Sequence, residues 1–147
     1  MRKLAKLLKM WTVATAAALL LNGGQAGSAF ADNAGSAEVQ AMIAAQIDAF
    51  GHDDGATAYS FASPGIQTMF PSVDAFMAMV RSGYAPLYHL QQFQFSDMQI
   101  VGDKFVQNVE ITAGDGTTWT AQYVLGREAD GSLKIEACRL LKRGVGV

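Results

Sequence analysis

One cysteine, Cys138, and two histidines, His52 and His89, are all that the chain holds of the side chains that most often bind metals or attack electrophiles. A lone cysteine excludes an intramolecular disulfide. It leaves either a thiol free to pair between chains or a small buried hydrophobe, and burial is the expected outcome. The two histidines lie far apart, which excludes the spacing of a histidine-glutamate metal helix. His52 is followed by Asp53 and Asp54, the most polar cluster in the sequence. Neighbouring side chains on a helix do not converge on one point, so the cluster reads as a turn in which Asp53 or Asp54 caps the next helix. No Walker loop, dinucleotide fingerprint or nucleophile elbow is present. Neither a metal nor a cofactor is implied.

A long apolar run is also missing. Met10 to Leu21 is uncharged, but at about 12 residues it is shorter than the ~20 that a membrane span needs. Arg2, Lys3, Lys6 and Lys9 precede it, and the small-x-small triplet Ala29-Phe30-Ala31 follows. That order is a secretory signal peptide, with cleavage expected after Ala31. Residues 1–31 are therefore the expected leader, and 32–147 one soluble α+β domain in the periplasm or the medium. The leader takes four of the eleven basic residues and none of the thirteen acidic ones, so seven basic residues face thirteen acidic, a net charge of −6. With no basic cluster beyond Lys142-Arg143, an acidic chain excludes nucleic acid and anionic membrane surfaces as partners.

What the mature chain does have is periodicity. After Ser36, a candidate N-cap, Val39, Met42, Ile43, Gln46, Ile47 and Phe50 recur at helical spacing up to Gly51. A short helix over 56–62 presents Tyr59. Ser63-Pro64 reads as N-cap and first helical position, opening a turn that offers Ile66, Met69 and Phe70 to a core. Ser72 caps a third helix whose inner stripe is Val73, Phe76, Met77 and Val80, closed by Gly83. Pro86 is expected to hold the following segment extended.

From Phe93 onward the period becomes two. Four alternating stretches, separated by Gly102-Asp103, by Gly114 to Gly116 and by Asp130-Gly131, predict an antiparallel meander. In the first, Phe93 and Phe95 share one parity while Met98 and Ile100 share the other, which predicts a bulge at Ser96-Asp97. Phe105, Val109 and Ile111 fall inward on the second, and Trp119, Ala121, Tyr123 and Leu125 on the third. Leu133, Ile135 and Ala137 fall inward on the fourth, with Arg139 next. On the outer parity stand Val106, Val124, Cys138 and Leu140, which, if aligned, would pair the sheet with that of a second copy. The predicted fold is α+β, with the helices covering the concave face of a curved, cone-like four-stranded meander.

Phe61-Ala62-Ser63-Pro64-Gly65-Ile66-Gln67, Phe76 to Val80, and Gly83-Tyr84-Ala85-Pro86-Leu87-Tyr88 resemble the signature of a bacterial family, domain of unknown function 4864. The element order resembles the nuclear transport factor 2-like, or cystatin-like, superfold. The likeness covers about Val39 to Arg143. It implies no activity, since the family has none assigned, and it implies an arginine after the second tyrosine, where this chain has His89.

Two sets of residues could carry function. Arg81, Tyr84, Tyr88 and His89 cluster where helix meets sheet and could bind a carboxylate or carbonyl at the mouth of the cone. Trp119 and Tyr123, with Phe93, Phe95 and Phe105, could line an aromatic pocket for a small apolar ligand, though a mainly filled core with at most a small cleft is the expected outcome. A non-catalytic domain binding a small apolar or carboxylate ligand, or a protein partner, is the leading reading. The alternative is an isomerase- or lyase-like enzyme, in which a buried Asp97 acts as base and Tyr123 or Tyr84 as donor, as in the isomerases of ketosteroids. Burial there would raise the Asp97 pKa.

Overall fold

A computed structural model describes the backbone of residues 26–144 and the side chains of residues 32–144. The basic start and apolar run of the expected leader lie outside the described residues. Among the described residues, five helices, α1 (Ala26–Gly51), α2 (Gly55–Ser60), α3 (Pro64–Met69), α4 (Val73–Gly83) and α5 (Ala85–Tyr88), precede four strands, β1 (Leu90–Val101), β2 (Lys104–Ala113), β3 (Thr118–Arg127) and β4 (Leu133–Lys142). The strands pair in the order β1-β2-β3-β4, all antiparallel. The fold is α+β, an open curved meander with helices on one face.

The helical layer follows the expected caps with two differences. The side chains of Asp54, Ser63 and Ser72 accept hydrogen bonds from the backbone N–H groups of Thr57, Ile66 and Ala75. Ser36, however, is no N-cap. It lies within α1, where its hydroxyl donates to the Asp32 carbonyl one turn back, so the polar side chain is satisfied without ending the helix. The expected cut after Ala31 accordingly falls inside α1. Pro86 does not extend its segment. It occupies the first turn of α5, where its missing N–H would have had no partner anyway.

Val39, Ile43, Ile47 and Phe50 of α1 meet Phe76, Met77 and Val80 of α4 above the inner sheet face, formed by Val109, Ile111, Ala121, Tyr123, Leu125, Leu133 and Ile135. Phe105 and Trp119 pack partly buried against this core. The link between α2 and α3 clips onto the sheet edge. The Ser63 N–H donates to the Ile135 carbonyl and the Ile135 N–H to the Phe61 carbonyl, both at 2.8 Å.

Two of the three register shifts in the sheet decide which of the candidate side chains face inward. In β1, Phe95 pairs with Val109 and Met98 with Gln107, so Ser96 and Asp97 together oppose Asn108. This is the predicted bulge, and it returns Met98 and Ile100 to the inner parity. In β4, Ala137 pairs with Val124 and Ile135 with Leu125, which leaves Glu136 as an extra residue. The sequence reading did not expect this second bulge, and its consequence is a correction. Cys138 and Leu140 turn inward against the core, while Ala137 and Arg139 are exposed. The outer patch expected from Val106, Val124, Cys138 and Leu140 therefore loses half its members.

Candidate functional site

The β4 bulge also shapes a cavity. By reversing parity at Glu136 it brings Cys138 to the inner face directly across from Tyr123. Ile135 to Cys138 of β4 and Tyr123 of β3 form one wall. Ile66 and Met69 of α3, Phe70 after it, and Phe76, Met79 and Val80 of α4 form the other. The space is about 340 Å³ and half open to solvent, within the range of about 300–1,000 Å³ typical of small-molecule sites. This cleft is larger than the small one expected. The space also lies elsewhere than expected: Trp119, Phe93, Phe95 and Phe105 do not line it. Met69, read as a core residue, is 70% exposed at its rim.

The walls are mostly apolar, and nearly every polar group in them is already engaged. Gln46 donates from Nε2 to the Ala58 carbonyl at 3.1 Å. The Tyr84 hydroxyl donates to the Cys138 carbonyl at 2.7 Å. Glu136 receives Lys104 Nζ at 2.7 Å. The exception is Tyr123, which is 0% exposed and whose hydroxyl meets no stronger acceptor than the Cys138 thiol. Burial raises the pKa of Tyr84, raises that of Tyr123 well above the usual phenol range, and pushes the Cys138 thiol up to about 12. All three are therefore protonated near neutral pH. Among the described residues, no arginine, lysine or histidine lines the cavity.

The other sequence-predicted residues are dispersed. Arg81 places a guanidinium nitrogen 2.6 Å from the Asp53 carboxylate and its carbon 5.7 Å from the centre of the Tyr88 ring. The Tyr88 hydroxyl donates to the same Asp53 oxygen at 3.0 Å, and the exposed His89 stands edge-on to Tyr88 at 4.5 Å. Arg81 and Tyr88 together hold the Asp53 carboxyl below its ordinary pKa. Asp53 adopts a left-handed backbone with φ 56°, a conformation that aspartate tolerates better than most residues. The cation expected to meet a carboxylate ligand is thus neutralised from within the chain. Sequence reasoning placed Asp53 in the turn but missed it as the hub of this surface network.

Trp119 is remote from both places. Its Nε1 donates to Thr117 Oγ1 at 2.9 Å, and Lys142 Nζ sits 5.7 Å from the ring centre.

Asp97 is exposed at the β1 bulge and is not brought to Tyr123. The desolvation that a buried aspartate base requires is absent there. The residue that fills the corresponding interior position is Gln107, fully buried, whose amide donates to the Ser96 and Asp97 carbonyls at 3.1 and 3.3 Å. Its place on the inner parity of β2, between Phe105 and Val109, was the available signal. Among the described residues, no group of three histidine, cysteine, aspartate or glutamate side chains is arranged to hold a metal ion.

A family model described as a domain of unknown function, DUF4864, matches residues 32–145. No curated protein matches the chain.

Proposed function

We propose that this chain, which belongs to the DUF4864 family, binds a small apolar molecule in the cavity between α3, α4 and the β4 bulge. The observation that carries this reading is an open, largely apolar space of about 340 Å³ beside a closely packed core. The role is non-catalytic. The isomerase alternative needed a buried aspartate, and Asp97 is in water. Glu136, the one carboxylate residue among the described residues of the wall, is held by Lys104. The carboxylate-binding variant needed a cation, and Arg81 is paired with Asp53.

The neutral fluorophore N-phenyl-1-naphthylamine tests this directly. Its emission should rise on binding the intact domain and fall back when the cavity is filled by Ile66→Trp or Met79→Trp, with thermal midpoints close to that of the parent. No emission change with the folded parent protein would overturn the reading.

The domain is proposed to work after export, on the strength of the Arg2 to Ala31 pattern. The intact mass of protein recovered from the periplasm or medium checks this. A product beginning at Asp32 supports it, and one retaining the leader refutes it.

A further inference from the structure

We propose that the ligand of this cavity is a single-chain amphiphile, which buries about 12 carbons of alkyl chain between α3, α4 and β4 and leaves its polar head in water. The inference rests on the cavity reading above and adds the class of molecule. The space is half open to solvent, so one end of an occupant stays outside. The polar side chains of the wall have little to offer the other end. Gln46 and Tyr84 donate to the carbonyls of Ala58 and Cys138, and Glu136 receives Lys104. The Tyr123 hydroxyl has no accessible surface and meets the Cys138 thiol. A polar group carried inward would give up its hydration for no partner, so the buried part is plain hydrocarbon.

The mouth carries no charge on its helical side. Gly55 to Val73, which supplies Ile66, Met69 and Phe70, contains no charged residue. A head group finds no fixed charge there to hold it, and selection falls to the chain. Met69, mostly exposed, and Met79 are unbranched thioethers that adapt to the shape of what passes them. The volume sets the length. A cavity of about 150 Å³ takes a six-carbon ring, so about 340 Å³, part of it at the open side, takes about twice as many carbons.

Displacement of N-phenyl-1-naphthylamine from the intact domain by 1-alkanols, hexanol to tetradecanol and each below its solubility limit, tests this. Affinity is expected to rise about threefold to fourfold per methylene and to level off near dodecanol. In Met79→Ala, which has more room, tetradecanol should bind more tightly than dodecanol. Dodecyl maltoside below its micelle concentration should bind within about threefold of dodecanol, because its head lies outside.

Three results would overturn the inference while leaving the cavity reading intact. They are an affinity independent of chain length, one still climbing from dodecanol to tetradecanol in the parent, and one lost when maltose replaces the hydroxyl. These read on the parent protein and stand even if Met79→Ala does not fold. No emission from N-phenyl-1-naphthylamine with the folded parent would remove both.

Discussion

Tyr123 and Cys138 face each other across β3 and β4 because one extra residue, Glu136, reverses the parity of the last strand. Each is surrounded by apolar neighbours, and burial favours the protonated form of both.

The first expected outcome concerns the thiol. With its pKa pushed up to about 12 from an ordinary 9.0, Cys138 presents almost no thiolate near neutral pH. Alkylation by iodoacetamide at pH 7.5 should be at least about a hundredfold slower in the folded protein than in urea. Alkali should then destabilise the fold. Above about pH 9 the unfolded thiol loses its proton while the folded one keeps it until about pH 12. Ionisation thus favours the unfolded chain across that window, and half-buried Tyr84 and buried Tyr123 act in the same direction. Urea midpoints should fall progressively from pH 9 upward, and Cys138→Ala should shallow the decline. A flat profile would contradict the burial of this pair.

Gln107 is expected to be costly to replace. Its Nε2 donates to the Asn108, Ser96 and Asp97 carbonyls, and its Oε1 accepts from Gln40 Nε2 at 3.2 Å. Leucine would fill similar space but leave the bulge carbonyls without their donor, at about 2–4 kcal/mol. Chemical denaturation of Gln107→Leu reads this loss. Amide exchange at Met98 and Gln99 shows whether the damage sits at the bulge.

Two glycines with close neighbours should respond differently to alanine. A Cβ on Gly55 would sit 2.7 Å from Met77 Cγ and 2.8 Å from Val73 Cγ1, atoms fixed in the packing of α2 on α4. Overpacking of this kind costs about 1–3 kcal/mol. A Cβ on Gly126 would meet the Glu136 carboxylate and, at 2.6 Å, Lys104 Nζ, the far ends of two long side chains that can swing into water. Gly55→Ala should therefore lower the urea midpoint clearly and Gly126→Ala only slightly. The reverse order would show that the Lys104–Glu136 pair is held more rigidly than its exposure implies.

Asp53→Asn should have a small effect on stability that disappears in about 1 M salt, because its partner Arg81 is well exposed and surface pairs are screened. Asparagine also tolerates the left-handed backbone that Asp53 occupies. The sign with pH follows from the lowered Asp53 pKa. The contribution is present above the ordinary aspartate range and is lost as pH falls through it. Urea midpoints of parent and variant should converge toward pH 3.

The α+β order, the capping residues and the β1 bulge were legible because each leaves a local signature. Ser72 precedes an apolar stripe, and Phe95 and Met98 conflict in parity. The β4 bulge also left a trace, since strict alternation put Arg139 indoors. That trace was weak because Ala137, Cys138, Leu140 and Leu141 supply apolar residues to both faces. Missing it misplaced Cys138 and hid the cavity, whose wall depends on that reversal. The direction of Asp97 was not legible for a related reason: a bulge frees two residues, and sequence cannot say which side chain turns outward. Asp53 could be read as part of a turn, but its meeting with Arg81 and Tyr88, 28 and 35 residues on, depends on how α1 packs against α4 and α5.

Helix α3 contributes no fully buried residue, yet it walls the cavity with Ile66 and Met69. It is fastened before its first turn by the Ser63 strand-edge bond, and after its last by the Tyr59 hydroxyl donating to the Phe70 carbonyl at 2.7 Å. A segment held at both ends and through Gln67, whose amide donates to the Tyr59 carbonyl, but with no fully buried side chain, lifts at lower cost than the sheet beneath it. Brief bowing of this one short helix would then widen the open side of the cavity, while the strands and the long α1 stay still.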